Sequence, residues 1–191
     1  MINFEFWEKE HPRAGEAMEV EYHVFVEWGY IAPNQKKRAL EYDKYSDYRF
    51  LIGLDKEKIV AVTRNIFDTD SLPTLNYPTT NDFNLWPKSF HKILGIGKEK
   101  FCETGTMAVI PEYQGHNYSI NLIDELVREY NPKGIFYTIC ALDQGFYDFL
   151  LSLEMPFEQI GDPKYYMGST TVPAIFDSTV LEPDFFRNLL R

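Results

Sequence analysis

The sequence predicts one domain of the α/β (α+β) class that spans residues 1–191. Two apolar runs, 48–55 and 58–67, flank a short polar turn and predict an antiparallel hairpin. Further along, apolar strands alternate with segments of helical period. A chain of 191 residues with 45% apolar and 16% aromatic residues has the length and composition of one ordered, compact domain.

Charge and cysteine content exclude several classes of protein. The formal net charge of −10 argues against general nucleic-acid binding, which needs clustered Lys and Arg. No apolar run approaches the roughly 18–20 residues of a membrane span, and the start lacks the features of a signal peptide, so we expect a cytoplasmic protein. Cys102 and Cys140 lie in apolar runs without ligand spacing. They predict buried free thiols, or one reactive cysteine, and neither a disulfide nor a metal site.

The elements before residue 100 are less regular. The segment 14–30 combines strand-like alternation with a helical face of Val20, Val24 and Trp28, and we favour a helix. The segment 68–88 is rich in Pro, Thr, Asn and Asp and holds three aromatic residues. It predicts a long ordered loop of the kind that covers substrates.

The second half has clearer boundaries. Pro111 ends an apolar run, and Asn131 and Pro132 close a segment of helical period. The predicted elements are a strand at 101–110, a helix at 116–130, a strand at 134–142, a helix at 143–155 and closing strands at 157–160 and 165–176.

The segment 108–123, AVIPEYQGHNYSINLI, carries the most specific local pattern. It resembles the acyl-CoA-binding motif of the GNAT acyltransferases, in which a strand leads through Arg/Gln-Gly-x-Gly-x-Gly into a helix. Gln114 and Gly115 match, whereas Asn117 and Ser119 replace the later glycines. Backbone N–H groups at such a helix start bind a pyrophosphate. An ordinary strand-to-helix connection is the alternative.

The GNAT resemblance implies that acyl-CoA or an acyl-phosphopantetheine is the co-substrate. The residues that it assigns to this group are Ala108, Val109, Ile110, Gln114, Gly115, His116, Asn117, Tyr118 and Ser119.

Further blocks resemble the acyl-homoserine-lactone synthases and the related long-chain N-acyl amino acid synthases, which are GNAT relatives. They are VFVEWGY (24–30), EYDKYSDY (41–48), AVTRNIFDTDSLPTL (61–75), CETGTMAV (102–109) and the tail at 160–177, in family order. This resemblance implies a GNAT-like mixed, mainly antiparallel central sheet flanked by helices. We expect the strands at 101–110 and 134–142 to splay, so that a pantetheine arm can bond to unpaired backbone groups.

Three departures from the family pattern concern its acceptor. Glu21 stands where the family has Arg, Ser46 replaces the second Asp of the acidic block, and Thr106 replaces the Arg that follows Glu103. The lactone synthases use these positions on their sulfonium substrate. The resemblance therefore does not extend to lactone formation.

The implied reaction is direct transfer of an acyl group, expected to be a fatty acyl group, from a thioester to an amine. Glu103 is the predicted base that removes a proton from the amine, with a structural ion pair as the alternative. A backbone N–H near Ala108 or Val109 is the expected donor to the thioester oxygen. Tyr147 is a candidate proton donor to the departing thiolate, although Phe149 aligns equally well with the family tyrosine and Tyr147 is otherwise a core aromatic.

Candidate acceptor residues come from the upstream blocks. Arg64 lies in an apolar strand and needs a carboxylate partner, for which Asp43 and Glu103 are candidates. Such a pair either is structural or recognises the acceptor. The aromatic residues Phe25, Trp28, Tyr45 and Phe83 either wall a pocket or pack in the core. The residues predicted to bind substrate are Phe25, Trp28, Asp43, Tyr45, Arg64 and Phe83.

Two features favour opposite donors. Loss of two glycines favours a carrier-bound phosphopantetheine, which has one phosphate, over CoA. The net charge of −10 disfavours an acidic carrier protein unless the surface includes a basic face. The candidate basic clusters are Lys36, Lys37 and Arg38, and Lys88, His91, Lys92, Lys98 and Lys100. We predict acyl carrier protein as the donor, with CoA as the alternative. The predicted function is transfer of a fatty acyl group to the amino group of an amino acid or similar small amine. The alternatives are an ordinary acetyl-CoA-dependent GNAT N-acetyltransferase and a catalytically silent thioester-binding module.

Overall fold

The computed structural model describes residues 2–34, 47–67 and 78–190. The strands in these ranges are β1 (Asn3–Glu8), β2 (Asp47–Asp55), β3 (Lys58–Phe67), β4 (Phe101–Val109), β5 (Tyr137–Asp143), β6 (Phe157–Gln159), β7 (Lys164–Tyr166) and β8 (Ser169–Asp177). The helices in these ranges are α1 (Ala14–Glu27), α2 (Pro78–Asp82), α3 (Pro87–Ile96), α4 (Tyr118–Tyr130), α5 (Gln144–Ser152) and α6 (Phe185–Leu189).

The strands form one open sheet in the order β1-β2-β3-β4-β5-β8-β6, with β7 also paired to β8. The pairing of β4 with β5 is parallel, and every other pairing among the described strands is antiparallel. Parallel neighbours need a crossover, which α4 provides between β4 and β5. The predicted mixed, mainly antiparallel sheet is confirmed.

The strands β4 and β5 separate after four residue pairs. Pairing runs from Phe101 with Tyr137 to Thr104 with Cys140 and does not continue through 105–109. Beyond this point β5 stays paired with β8 on its other side. The predicted splay between these two strands is therefore confirmed.

Helices cover both faces of the sheet. Side chains alternate along β2, so Phe50 and Ile52 pack in the core with α1, whereas Leu51 packs with Leu122 of α4. The buried positions of α1 recur at helical spacing, which explains why helix prevails over the strand-like pattern of this segment. No helix within the described residues is long and apolar enough to cross a membrane.

Four parts of the fold differ from the prediction. The edge strand β1 and the short helix α6 were not predicted, and the predicted loop at 68–88 contains α2 and the start of α3 in its described part. The single strand predicted at 165–176 is wrong. Met167 and Gly168, with φ of 46° and 81°, form a tight turn between β7 and β8. A Cβ on Gly168 would lie 2.1 Å from the carbonyl oxygen of Gly29, so this close approach requires glycine.

Candidate active site

A cavity of about 640 Å³ lies where β4 and β5 separate. It is lined from both faces of the sheet, because the missing β4–β5 pairing leaves a passage between them. Residues of α1 and α2 line it on one face, and residues of α4 and α5 on the other. The wall formed by α4, α5 and β8 is apolar and includes Ile123, Leu126, Val127, Phe146, Leu150 and Phe176.

The loop before α4 forms one end of this cavity. Gly115 has a φ of 77° and Asn117 a φ of 60°, so Asn117 adopts the left-handed conformation that the family motif assigns to glycine. Ser119 lies in the first turn of α4, where no positive φ occurs and glycine is not needed. The first-turn N–H groups of a helix lack intrahelical acceptors, so this loop retains the geometry of an anion site despite its missing glycines.

The free edge of β4 presents backbone groups to the gap. The N–H of Ile110 donates to the carbonyl oxygen of Val60 in β3, at 3.0 Å. Because backbone groups alternate in direction along a strand, the N–H of Val109 points to the opposite edge, towards β5. The Gln114 side chain donates to the carbonyl oxygen of Val109 at 2.8 Å and fixes the loop at this edge.

Most of the residues assigned to the cofactor line the cavity: Ala108, Val109, Gln114, Gly115, Asn117, Tyr118 and Ser119. Ile110 and His116 do not line it, and the side chain of His116 is exposed. Of the predicted substrate residues, Phe25, Trp28 and Phe83 line the cavity. Asp43 and Tyr45 lie outside the described residues.

Glu103 lies on β4 at the cavity wall and is only 2% exposed. Its carboxylate accepts hydrogen bonds from the backbone N–H of Thr79, at 3.0 and 3.1 Å to its two oxygens, and from the Thr79 hydroxyl at 2.8 Å. Burial raises the pKa of Glu103 to about 8, although the Thr79 hydrogen bonds lower it and Asp82 raises it further. A carboxyl that titrates near neutrality in a cavity suits proton transfer.

Among the described residues, Arg64 pairs with a carboxylate that was not one of the two candidates; Asp43, one of these candidates, lies outside the described residues. Arg64 pairs with Glu21 of α1, and both side chains are buried, at 0% and 1% exposure. The Thr106 hydroxyl also donates to Glu21, and the rings of Tyr48 and Phe50 lie 5.4 and 5.3 Å from the guanidinium. The predicted pairing of Arg64 with Glu103 is wrong, because α1 brings the Glu21 carboxylate to the guanidinium instead.

Two departures from the family pattern thus meet at Arg64. Glu21 supplies the carboxylate and Thr106 supplies a hydroxyl donor to it. Arg64 itself is not part of the cavity wall, whereas Thr106 is.

Tyr147 does not line the cavity. It is buried against Cys140, Val172 and Ala174, and burial raises its pKa. The α5 residues that reach the cavity include Phe146 and Phe149, which have no proton to donate. Tyr147 therefore packs as a core aromatic.

Two residues at the cavity were missed by the sequence argument. Tyr30 lines it, and burial, followed by the charge of Asp143, raises the pKa of its hydroxyl. Tyr30 closes the VFVEWGY block, so that resemblance could have found it. Thr79 contacts Glu103 across 24 positions of sequence, and no local pattern indicates this contact.

The two cysteines and the possible metal ligands complete the description of the site. Cys102 and Cys140 are free and buried, as predicted, and burial raises the pKa of Cys102 to about 12, which keeps this thiol protonated. Among the described residues, no cluster of three or more His, Cys, Asp or Glu could hold a metal ion.

Comparison with known proteins identifies the fold. No family model matches the sequence, and no curated protein sequence matches it either. Among solved structures, the AHL synthase LasI superposes with a TM-score of 0.72 and 11% identity over 98% of this chain and 95% of LasI. FeeM, an N-acyl amino acid synthase from uncultured soil microbes, gives 0.69 and 14% over 99% and 96% of the two chains.

A third similar structure is the CoA-dependent acyl-homoserine lactone synthase BjaI with SAM and isopentyl-CoA. It gives a TM-score of 0.66 and 14% identity over 99% of this chain and 88% of BjaI. At such identities the similarity defines a fold. The chain has the GNAT acyltransferase fold in the form that the acyl-homoserine-lactone synthases share, as the sequence resemblance predicted.

Proposed function

We propose that this protein is an N-acyltransferase that moves a fatty acyl group from a pantetheine thioester to the amino group of an amino acid or similar small amine. The observation that carries the proposal is the passage between β4 and β5, which connects the apolar wall of α4 and α5, the loop before α4 and the buried Glu103 in one cavity. A thioester lying in this passage would have its carbonyl beside the free edge of β4.

The donor half of the cavity fits an acylated pantetheine. The loop from Gln114 to Ser119 would hold its phosphate end, and the gap between 105–109 and 141–143 would hold the extended arm. The Val109 N–H is placed to stabilise the negative charge that develops on the thioester oxygen.

The chamber below α4 and α5 favours a long acyl chain over acetyl. Its wall is built from aliphatic and aromatic side chains, which suit an apolar chain. Burial of each CH₂ group contributes about 0.8 kcal/mol, so a longer chain gains affinity in this chamber.

Glu103 supplies the base. An amine is protonated at neutral pH and must lose a proton before it attacks. Glu103 accepts this proton; the nitrogen then forms a C–N bond as the C–S bond breaks, and the thiolate gains a proton as the nitrogen loses its second. A base whose pKa is about 8 is half ionised at pH 8, and such a pKa is well matched to this task.

Acyl carrier protein remains the donor that we favour. Lys88, His91, Lys92 and Lys100 are exposed on α3 and the short turn that leads into β4. Lys92 already pairs with Glu158 at 2.6 Å. The cluster at 36–38 lies outside the described residues. A basic face next to β4 would attract an acidic carrier, and high salt would slow the association.

The proposal is tested by incubating the protein with labelled acetyl and long-chain acyl donors and a panel of amines. We expect amide formation with the long-chain donors. Turnover with acetyl donors alone would identify an acetyltransferase instead. Donor binding without turnover for any amine would identify a silent module.

The donor is tested by comparing acyl-CoA and acyl carrier protein of equal chain length. Replacing Lys88 and Lys100 with Glu should slow use of the carrier donor and leave use of CoA unchanged. The matched control replaces Lys9 and Lys56 with Glu, which gives the same change in net charge elsewhere. Equal use of both donors, or equal effects of both variants, argues against docking at this cluster.

A further inference from the structure

The short helix α2 is attached to the protein at both of its ends. At its start, Thr79 contacts the Glu103 carboxylate. At its end, the Asp82 carboxylate accepts a hydrogen bond from the Tyr166 hydroxyl at 2.8 Å, and the Asp82 carbonyl oxygen accepts one from Lys164. The C-terminal end of α2 is therefore bound by β7, and Thr79 at its N-terminal end binds the Glu103 carboxylate.

The Thr79 contacts leave Glu103 little rotational freedom. The backbone N–H lies 3.0 and 3.1 Å from the two carboxylate oxygens, and the hydroxyl lies 2.8 Å from Oε1. Both donors belong to one residue, which is itself only 1% exposed. The carboxylate is thus oriented by a rigid buried group rather than by solvent.

We propose that Thr79 is a positioning residue for the reaction, whose N–H and hydroxyl aim the Glu103 carboxylate at the cavity and stabilise its ionised form. This inference rests on the proposed function, because it assigns Thr79 to the base of that reaction. Thr79 acts through Glu103 and need not touch the substrate.

The charge environment explains why such donors matter. Burial disfavours the ionised carboxylate, and Asp82 on the same short helix disfavours it further. Glu21 of α1 and Arg64 of β3 bind each other, so Arg64 does not serve as a counter-ion for Glu103. The two nearby thiols, Cys102 on β4 and Cys140 on the neighbouring strand β5, have raised pKa values and stay neutral. Among residues 2–34, 47–67 and 78–190, the N–H and the hydroxyl of Thr79 are the donors to this carboxylate, and the hydrogen bonds from both lower the pKa of Glu103.

Thr79→Val removes the hydroxyl and keeps both the shape and the backbone N–H. Loss of one donor to a carboxylate should raise the pKa of Glu103 by about one unit, because hydrogen bonds to charged groups are the stronger kind. A rise from about 8 to about 9 lowers the ionised fraction at pH 7 by about tenfold. We therefore expect kcat/KM to fall about tenfold at pH 7 and to recover towards the wild-type value above pH 9. Thr79→Ser keeps the hydroxyl and should behave like the wild type.

The control variant is Thr63→Val. This variant removes a buried hydroxyl from β3. The Thr63 hydroxyl donates to the Thr106 carbonyl oxygen at 2.7 Å and does not contact Glu103. A purely structural loss lowers activity equally at all pH values, so this variant should leave the midpoint of the pH profile unchanged.

The deciding experiment is a pH titration of the protein labelled with ¹³C at the glutamate carboxyl carbons, with Glu103→Gln used to assign the signal. The proposal expects the Glu103 midpoint to rise in Thr79→Val and to return in Thr79→Ser. Equal midpoints in wild type and Thr79→Val would overturn it. The titration needs no substrate, so if the wild type transfers no acyl group to any amine, the proposed function fails while the result for Thr79 still stands.

Discussion

Two buried carboxylates in this protein, Glu21 and Glu103, have opposite surroundings. They are 1% and 2% exposed. Glu21 meets the guanidinium of Arg64 and does not line the cavity, whereas Glu103, within the part of the chain that the structure describes, meets the uncharged donors of Thr79 and lines the cavity. A buried charge with a buried counter-charge stabilises the packing of the elements that carry it, and a buried carboxyl without one titrates near neutrality and can exchange protons.

The largest effect should follow from breaking the paired carboxylate. Arg64→Met leaves Glu21 buried without its counter-charge, which should lower the free energy of unfolding by about 3–5 kcal/mol. Urea denaturation measures this. The control is Arg49→Met on β2, whose partner Glu8 is 63% exposed, so the loss should be about 1 kcal/mol or less.

The opposite outcome for Arg64 would change its assignment. If Arg64→Met retains wild-type stability and raises KM for the amine, Arg64 recognises the acceptor, and the contrast between the two carboxylates disappears.

Glu103→Gln should lower activity. Loss of the base should lower kcat on the order of 100-fold, or about 2.7 kcal/mol, while donor binding stays nearly intact. Steady-state assays at pH 7 with saturating donor measure this. Glu99→Gln, an exposed change close in sequence, is the control and should retain full turnover. Wild-type turnover in Glu103→Gln would remove Glu103 from the mechanism.

The sequence predicted the sheet class and several residues that line the cavity, because both depend on local patterns. Strand and helix periods locate β2 to β5, α4 and α5, and the loop at Gln114 and Gly115 follows from its motif. The edge strand β1 lacks a clear signal because only one of its residues, Trp7, is fully buried.

The contacts that distinguish the two carboxylates could not be predicted in this way. Glu21 and Arg64 are 43 positions apart, and Thr79 and Glu103 are 24 apart. Such pairs depend on how α1 and α2 pack on the sheet. The choice between Tyr147 and Phe149 stays open in the sequence for a similar reason, since the rotation of α5 decides which of them faces the cavity, and packing sets that rotation.

A smaller effect is expected for Thr106→Val, which removes the hydroxyl donor from Glu21 as Thr79→Val does from Glu103. Loss of one hydrogen bond to a charged group should cost about 1.5 kcal/mol of unfolding free energy. The pH midpoint of kcat/KM should not move, because Glu21 keeps Arg64. A shift of that midpoint in Thr106→Val would mean that the two carboxylates are coupled.

A further effect is expected in the pH dependence of stability. The folded-state pKa of Glu103, about 8, lies above the ordinary value of 4.5. Its contribution to stability is therefore complete below about pH 4.5 and is lost as the pH rises to about 8, by at most about 1.4 kcal/mol per pH unit. The difference in Tm between Glu103→Gln and wild type should grow in favour of the variant from pH 5 to pH 8. A constant difference in Tm would mean that the folded-state pKa of Glu103 is not raised.

The most direct test of the acyl-transfer site is a crystal structure with a fatty-acyl pantetheine analogue whose thioester is replaced by a non-transferable ketone. We predict that the arm lies between 105–109 and 141–143, that the ketone oxygen accepts a hydrogen bond from the Val109 N–H, and that the chain lies in the chamber below α4 and α5. Glu103 should then lie beside the space where an amine would attack. An analogue bound elsewhere, or a structure in which β4 and β5 pair beyond Thr104 and Cys140, would contradict the account.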